Sequence, residues 1–240
     1  MGLNVDIQNL GYQIRKDKQV LTDLTLNIVP GDFVAVLGEN GAGKTTLLDL
    51  MLGFRKPTRG FLKVQNEKPH IDNWKNRQEI AYLSEKVDIP GEWSVDDFLK
   101  FNEFFYSHYN HELEAKYMKH FRVNRSDRLG NMSAGEIRRV QIVAALSIEP
   151  KLIVVDEITA VLDIVGRRRF MSLLRELNQE SKCTIVLATN ILEDLADNVT
   201  HVMLLRKGFV RTFEPMTTFL AGSTQAVFSQ KVADMLEEDR

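Results

Sequence analysis

The sequence predicts an α/β fold: a mostly parallel sheet, a small N-terminal antiparallel β subdomain and an inserted helical lobe. Three observations carry this. Short apolar runs recur as "FVAVLG" (33–38), "IAYL" (80–83), "LIVVD" (152–156), "TIVLAT" (184–189) and "HVMLL" (201–205). Each is brief and near-continuous, as strands buried on both faces are. Helical patterns lie between them, the alternation expected of a parallel α/β sheet.

The elements follow in order. "LNVDIQNLGYQI" and "LTDLTLNIV" alternate with period two around a turn, which reads as the small antiparallel sheet. After "FVAVLG", a helix is expected over Thr46 to Leu52, with Gly53 as its cap and Pro57 beyond. Residues 86–130 change character. Val95, Phe98, Leu99, Phe105, Tyr106 and Tyr109 fall at helical spacing, and Ser94 with Asp97 forms a capping box. This aromatic stripe reads as the core of a helical lobe, with a partner-docking face as the alternative. "VMLLRKGFVRTF" (202–213) reads as a hairpin turning near Gly208. In the tail, Phe228, Val232, Met235 and Leu236 mark a short amphipathic helix, packed on its own domain or used for self-association. The expected organisation is one domain over 1–213, its helical lobe inserted at about 86–147, and a tail over 214–240.

Composition narrows the function. The chain has 240 residues, 44% apolar and 27% charged, with a formal charge of -2. Nucleic-acid binding usually leaves a basic signature, so no nucleic-acid partner is expected. The single Cys183 cannot form an internal disulfide, which suits a reducing compartment. No apolar run approaches the ~20 residues of a membrane span. The start "MGLNVDIQNL" has neither the basic region nor the apolar core of a signal peptide. A cytoplasmic protein is expected, unless a partner holds it to a membrane.

Gly38-Glu39-Asn40-Gly41-Ala42-Gly43-Lys44-Thr45 fits G-x-x-x-x-G-K-[ST], followed by Thr46, between a buried strand and a helix. Glycines let the backbone wrap close to phosphates and aim N–H groups inward, while the helix directs its positive end at the same anion. Lys44 is the expected contact of the β- and γ-phosphates, and the Thr45 hydroxyl the expected Mg²⁺ ligand. Asp156 ends a strand of four apolar residues and is placed to hold Mg²⁺ through water, opposite Thr45. Glu157 follows directly and is placed to polarise the attacking water.

Further stretches carry a family resemblance. "MSAGEIRRVQIVAALSIEPKLIVVDE" (132–157) resembles the signature-to-Asp-Glu block of ATP-binding cassette (ABC) proteins, and Ala160-Val161-Leu162-Asp163 resembles their D-loop. The resemblance covers roughly residues 3–213. It implies a P-loop ATPase core using ATP and Mg²⁺, pairing head to tail with a second such subunit and with a separate membrane-spanning subunit. On the same resemblance Ser133 and the Gly135 N–H face the γ-phosphate held by the partner, and Asp163 is the D-loop aspartate. Tyr12 is placed like the aromatic that stacks on adenine, with a strand-surface tyrosine as the alternative. Glu85 sits at the Q-loop position near the metal. "KPTRGFLKV" (56–64) and the signature stretch are most similar to the ATPase subunits of bacterial exporters.

The sequence departs from the family at Ala134, Ile158, Val161 and Asn190. Asn190 stands where the family has a switch histidine touching the γ-phosphate. An Asn amide can donate but cannot become cationic. Glu157 remains, so slowed hydrolysis is expected rather than its loss. Two other readings stay open: a nucleotide-gated dimer module with little turnover, and a soluble ABC ATPase outside transport.

Overall fold

The computed structural model describes residues 1–15, 18–70, 77–84, 89–158, 162–193, 195–221 and 225–237. A six-stranded sheet forms the centre. Its strands are β3 (Phe33–Leu37), β5 (Ile80–Ser84), β6 (Leu152–Asp156), β7 (Thr184–Ala188), β8 (His201–Arg206) and β9 (Phe209–Pro215). They lie in the order β5-β6-β7-β3-β8-β9. All neighbours pair in parallel except the β8–β9 hairpin, which turns through Gly208 at φ 82°. Every residue of β3, β6 and β7 is buried, which explains why these segments read as unbroken apolar runs.

Side chains alternate across this sheet and feed two cores. Phe33, Ala35 and Leu37 point to one; Val34 and Val36 point to the other. The second core is closed by helix α1 (Lys44–Met51) and by an antiparallel sheet of β1 (Val5–Arg15), β2 (Lys18–Ile28) and β4 (Arg59–Val64), in the order β2-β1-β4. The strand β4 lies in "TRGFLKV", a segment with no apolar alternation strong enough to predict it. Its second residue, Gly60 at φ 66°, lies against the backbone of Gln8 and Asn9, a close approach to β1 that excludes a side chain.

The first core is covered by α2 (Val95–Phe105), α3 (His111–Phe121), α4 (Ala134–Leu146), α5 (Ile164–Ser181), the short α6 (Met216–Leu220) and α7 (Gln225–Glu237). The Ser94–Asp97 capping box is present: the Ser94 hydroxyl accepts from Asp97 N at 3.1 Å, and Asp97 accepts from Ser94 N at 2.9 Å. The aromatic stripe is only partly core. Val95 and Leu99 are buried, and Phe98, Tyr106 and Tyr109 are partly buried against the same core. Phe105 is 52% exposed, as the helix ends there instead of running on to Tyr109. Asn110 then caps α3 by accepting from Glu112 N and Leu113 N. In α7, Phe228 and Val232 are buried and Phe228 meets the Phe219 ring edge-on, so this helix packs on its own chain. Among the described residues no helix is long and apolar enough to cross a membrane.

Candidate functional site

The cradle grows out of the end of β3. A Cβ at Gly38 would lie 2.1 Å from Leu205 O on the neighbouring strand, so only glycine lets the loop leave there. Gly43 closes the loop as the N-cap of α1 at φ 109°, a left-handed conformation that glycine adopts without strain. Ala42 is buried and tied inward, its carbonyl accepting from Gly208 N. Asn40, Gly41, Gly43, Lys44, Thr45 and Thr46 line a cavity of about 370 Å³, joined by Glu157.

Lys44 is the hub. It is 5% exposed, and its Nζ donates to Gly38 O at 2.7 Å, Glu39 O at 3.3 Å and Asn190 Oδ1 at 2.8 Å. Glu157 Oε1 lies 3.6 Å away. Burial pulls the ammonium below its ordinary value, against the opposing pull of the Glu157 and Asp156 charges.

Two carboxylates enter from the end of β6. Asp156 is 2% exposed and accepts from the Thr45 hydroxyl at 3.3 Å. The next residue, Glu157, has φ 57°, and its N–H bonds Ala188 O at 3.0 Å. The backbone thus turns sharply and swings the Glu157 side chain over the cavity, 33% exposed. Ile158, where the family more often has proline, is fully buried in the first core. Asn190, just past β7, donates through Nδ2 to Asn40 Oδ1 at 2.9 Å and to Glu157 Oε1 at 3.4 Å. Lys44, Glu157, Asn190 and Asn40 therefore form one hydrogen-bonded cluster, drawn from three loops at the carboxyl edge of the sheet.

The remaining candidate residues lie elsewhere. Tyr12 does not line the cavity. Its hydroxyl accepts from Arg55 at 3.0 Å, the Arg55 guanidinium sits 5.6 Å over its ring, and Arg55 is held by Asp49 at 2.7 Å. The ring is thus engaged toward the far end of α1, and Ile14, Lys18 and Val20 stand at the cavity instead. The register of β1 against β2 shifts between Leu10 and Tyr12 and on either side of Gln13. Glu85 lies outside the described residues, as do Ala160 and Val161.

Ser133, Gly135 and Asp163 do not touch this cavity either. Ser133 is the exposed N-cap of α4 and forms a capping box with Glu136, donating to its carboxylate at 2.7 Å. Gly135 is in the first turn of α4. Asp163 caps α5 by accepting from Gly166 N at 2.6 Å, with Arg139 at 4.0 Å. Ser133 and Asp163, at these two helix starts, are exposed. The cluster partners Asn40 and Asn190 are 150 positions apart, so no local pattern announced their contact.

Comparison with known proteins agrees with this geometry. A family model described as ABC transporter matches residues 21–160. The energy-coupling factor transporter ATP-binding protein EcfA2 of Streptococcus thermophilus is 30% identical, the match spanning 98% of this chain and 86% of the relative. The protein of that name from Enterococcus faecalis is 31% identical over 85% of this chain and 75% of its own. Among solved structures, an ATP-binding subunit of an ABC transporter superposes with TM-score 0.84 at 23% identity, covering 95% of this chain and 99% of that one. CbiO1 of Clostridium perfringens, part of the ABC transporter complex cbiONQ, gives 0.76 at 22% identity, over 98% of this chain and 95% of its own. The chain belongs to the ABC transporter family, as an ATP-binding subunit.

Proposed function

We propose that this subunit binds ATP with Mg²⁺ in the cradle and hydrolyses it slowly, and that two such subunits close head to tail around ATP to drive a separate membrane-spanning subunit. The observation that carries this reading is the Lys44–Glu157–Asn190 cluster, in which a buried cation, a carboxylate and an amide converge on one cavity.

Each residue then has a task. The loop N–H groups and Lys44 neutralise phosphate charge. The Thr45 hydroxyl and Asp156 supply two hard oxygens side by side, a donor set suited to Mg²⁺, which takes its other ligands from water and phosphate. When bound, that ion adds electrostatic stabilisation at the phosphates. Glu157, swung over the cavity, accepts the proton of the attacking water. Asn190 orients that water and the terminal phosphate through a neutral N–H. Charge-assisted bonds are roughly twice as strong as neutral ones, so losing the histidine costs about 1–2 kcal/mol, or roughly a five- to thirty-fold slower step. Removing a general base costs about 10²–10⁴-fold, and Glu157 is in place; slow turnover is the outcome.

The outward-facing starts of α4 and α5 support dimerisation, with Ser133, Gly135 and Asp163 completing the partner's site. The partner can be a second copy or a related subunit. The stretches at 56–64 and 132–146 favour an exporter, whereas the relatives above are energy-coupling factor subunits. The subunit then works at the inner face of the membrane, held there by its membrane partner. Affinity purification of the native complex tests this: a membrane-spanning protein should co-purify, and a native complex lacking one would overturn the transport assignment. A second reading, an ATP-gated dimer module with incidental turnover, is favoured by one observation: Asn190 already occupies Lys44. A turnover assay separates the two.

A further inference from the structure

Lys44 offers only N–H donors, so the Asn190 atom facing it is the carbonyl oxygen. The Asn190 Nδ2 then points away, to Asn40 Oδ1 at 2.9 Å and, more weakly, to Glu157 Oε1 at 3.4 Å. In this polarity Asn190 is an acceptor toward the cradle. A triphosphate brings only acceptor oxygens to Lys44, and two acceptors cannot bond. To serve a phosphate, the Asn190 carboxamide has to turn its Nδ2 inward, which turns its oxygen toward Asn40. Two facing oxygens would remain unless Asn40 turned as well. A carboxamide carries a donor and an acceptor on one carbon, so a pair of them can invert together and keep one hydrogen bond in either polarity. There is room for this: Asn40 and Asn190 share an open cleft of about 500 Å³ with Leu192 and with Val232 and Leu236 of α7.

We propose that Asn40 is the positioning residue for Asn190. The two amides form a reversible pair, with Asn190 accepting from Lys44 in the free subunit and donating to phosphate when ATP is bound. This rests on the reading of Asn190 as the switch residue. It gives Asn40 a task beyond the phosphate loop, and it explains how asparagine can stand at a position where the incoming group needs a donor.

The test compares Asn40→Ala and Asn40→Asp, each in the native and the Asn190→Ala background. Binding of ADP and of the β,γ-imido analogue of ATP is measured by calorimetry, and turnover by phosphate release. Asn40→Ala should slow turnover about five-fold, the worth of one net hydrogen bond, with both affinities within two-fold. In the Asn190→Ala background it should cause no further loss. Asn40→Asp can only accept, so it should hold Asn190 in the free-state polarity. The imido analogue should then lose more affinity than ADP does, and this difference should be about five-fold larger with Asn190 present than in the Asn190→Ala background, where only repulsion from the added carboxylate remains. Additive effects of the two alanine substitutions, or an aspartate effect of the same size with and without Asn190, would overturn the pairing. Loss of ADP binding in Asn40→Ala would assign Asn40 to direct phosphate contact instead. Native turnover in Asn190→Ala alone would remove the switch reading itself, and is distinguishable because it needs no change at Asn40.

Discussion

The ammonium of Lys44 lies 2.8 Å from the amide oxygen of Asn190, and the same amide reaches Glu157 through its nitrogen at 3.4 Å. Lys44 and the Glu157 carboxylate are thus bridged by a neutral group that both donates and accepts.

Replacing that group should change both rate and pH dependence. Asn190→His is expected to raise turnover by roughly five- to thirty-fold, the converse of the deficit argued above. It should also add a titration near the ordinary histidine value of about 6.5. The cationic ring makes the stronger bond to phosphate, so the gain should grow as pH falls through that value, while the native subunit lacks this inflection. Steady-state phosphate release between pH 5.5 and 8.5 checks both. An unchanged rate with intact ATP binding would mean that the switch lies at another residue.

The nucleobase should be felt by Ile14 rather than Tyr12. Ile14 lines the cavity, while the Tyr12 ring is covered by Arg55. Removing the apolar contact of Ile14→Ala should weaken ATP affinity by about five-fold, the equivalent of about 1 kcal/mol of apolar burial. Tyr12→Ala should leave affinity within two-fold and lower stability instead. Calorimetric titration of both variants decides it, and the reverse ranking would restore Tyr12 as the stacking residue.

Packing of the tail helix predicts a stability difference. Phe228 is fully buried against Phe219, so Phe228→Ala should cost about 3–5 kcal/mol. Phe104 is 84% exposed, and Phe104→Ala should fall within about 0.5 kcal/mol of the native chain. Urea unfolding of the two variants measures this; equal stabilities would contradict the docked position of α7.

Cys183 is 1% exposed, and burial pushes its thiol up to about 12. The thiolate is the reactive form, so the folded chain should react with an aromatic disulfide reagent far more slowly than the chain in denaturant. Similar rates in both would show that the start of β7 opens readily.

Much of this was legible because it is local. "GENGAGKT" fixes both the loop and the helix after it, and the Ser94–Asp97 cap spans three positions. Buried strands declared themselves by continuous apolar runs, since β3, β6 and β7 have no exposed face. What was not legible depended on irregular backbone. Tyr12 meets Arg55 in the bulged part of β1, and α2 ends early, leaving Phe105 half-exposed. The left-handed backbone of Glu157 and the Asn40–Asn190 bond arise from tertiary folding, and no periodicity encodes either.

Phosphate release by the purified native subunit, set beside Glu157→Gln under saturating ATP and Mg²⁺, tests the central claim most directly. The claim is that hydrolysis survives at Asn190 because Glu157 remains over the cavity. Native turnover should be slow but about 10²-fold or more above the variant, with ATP affinity retained in both. A native rate equal to that of Glu157→Gln would contradict a working ATPase and leave only the ATP-gated dimer.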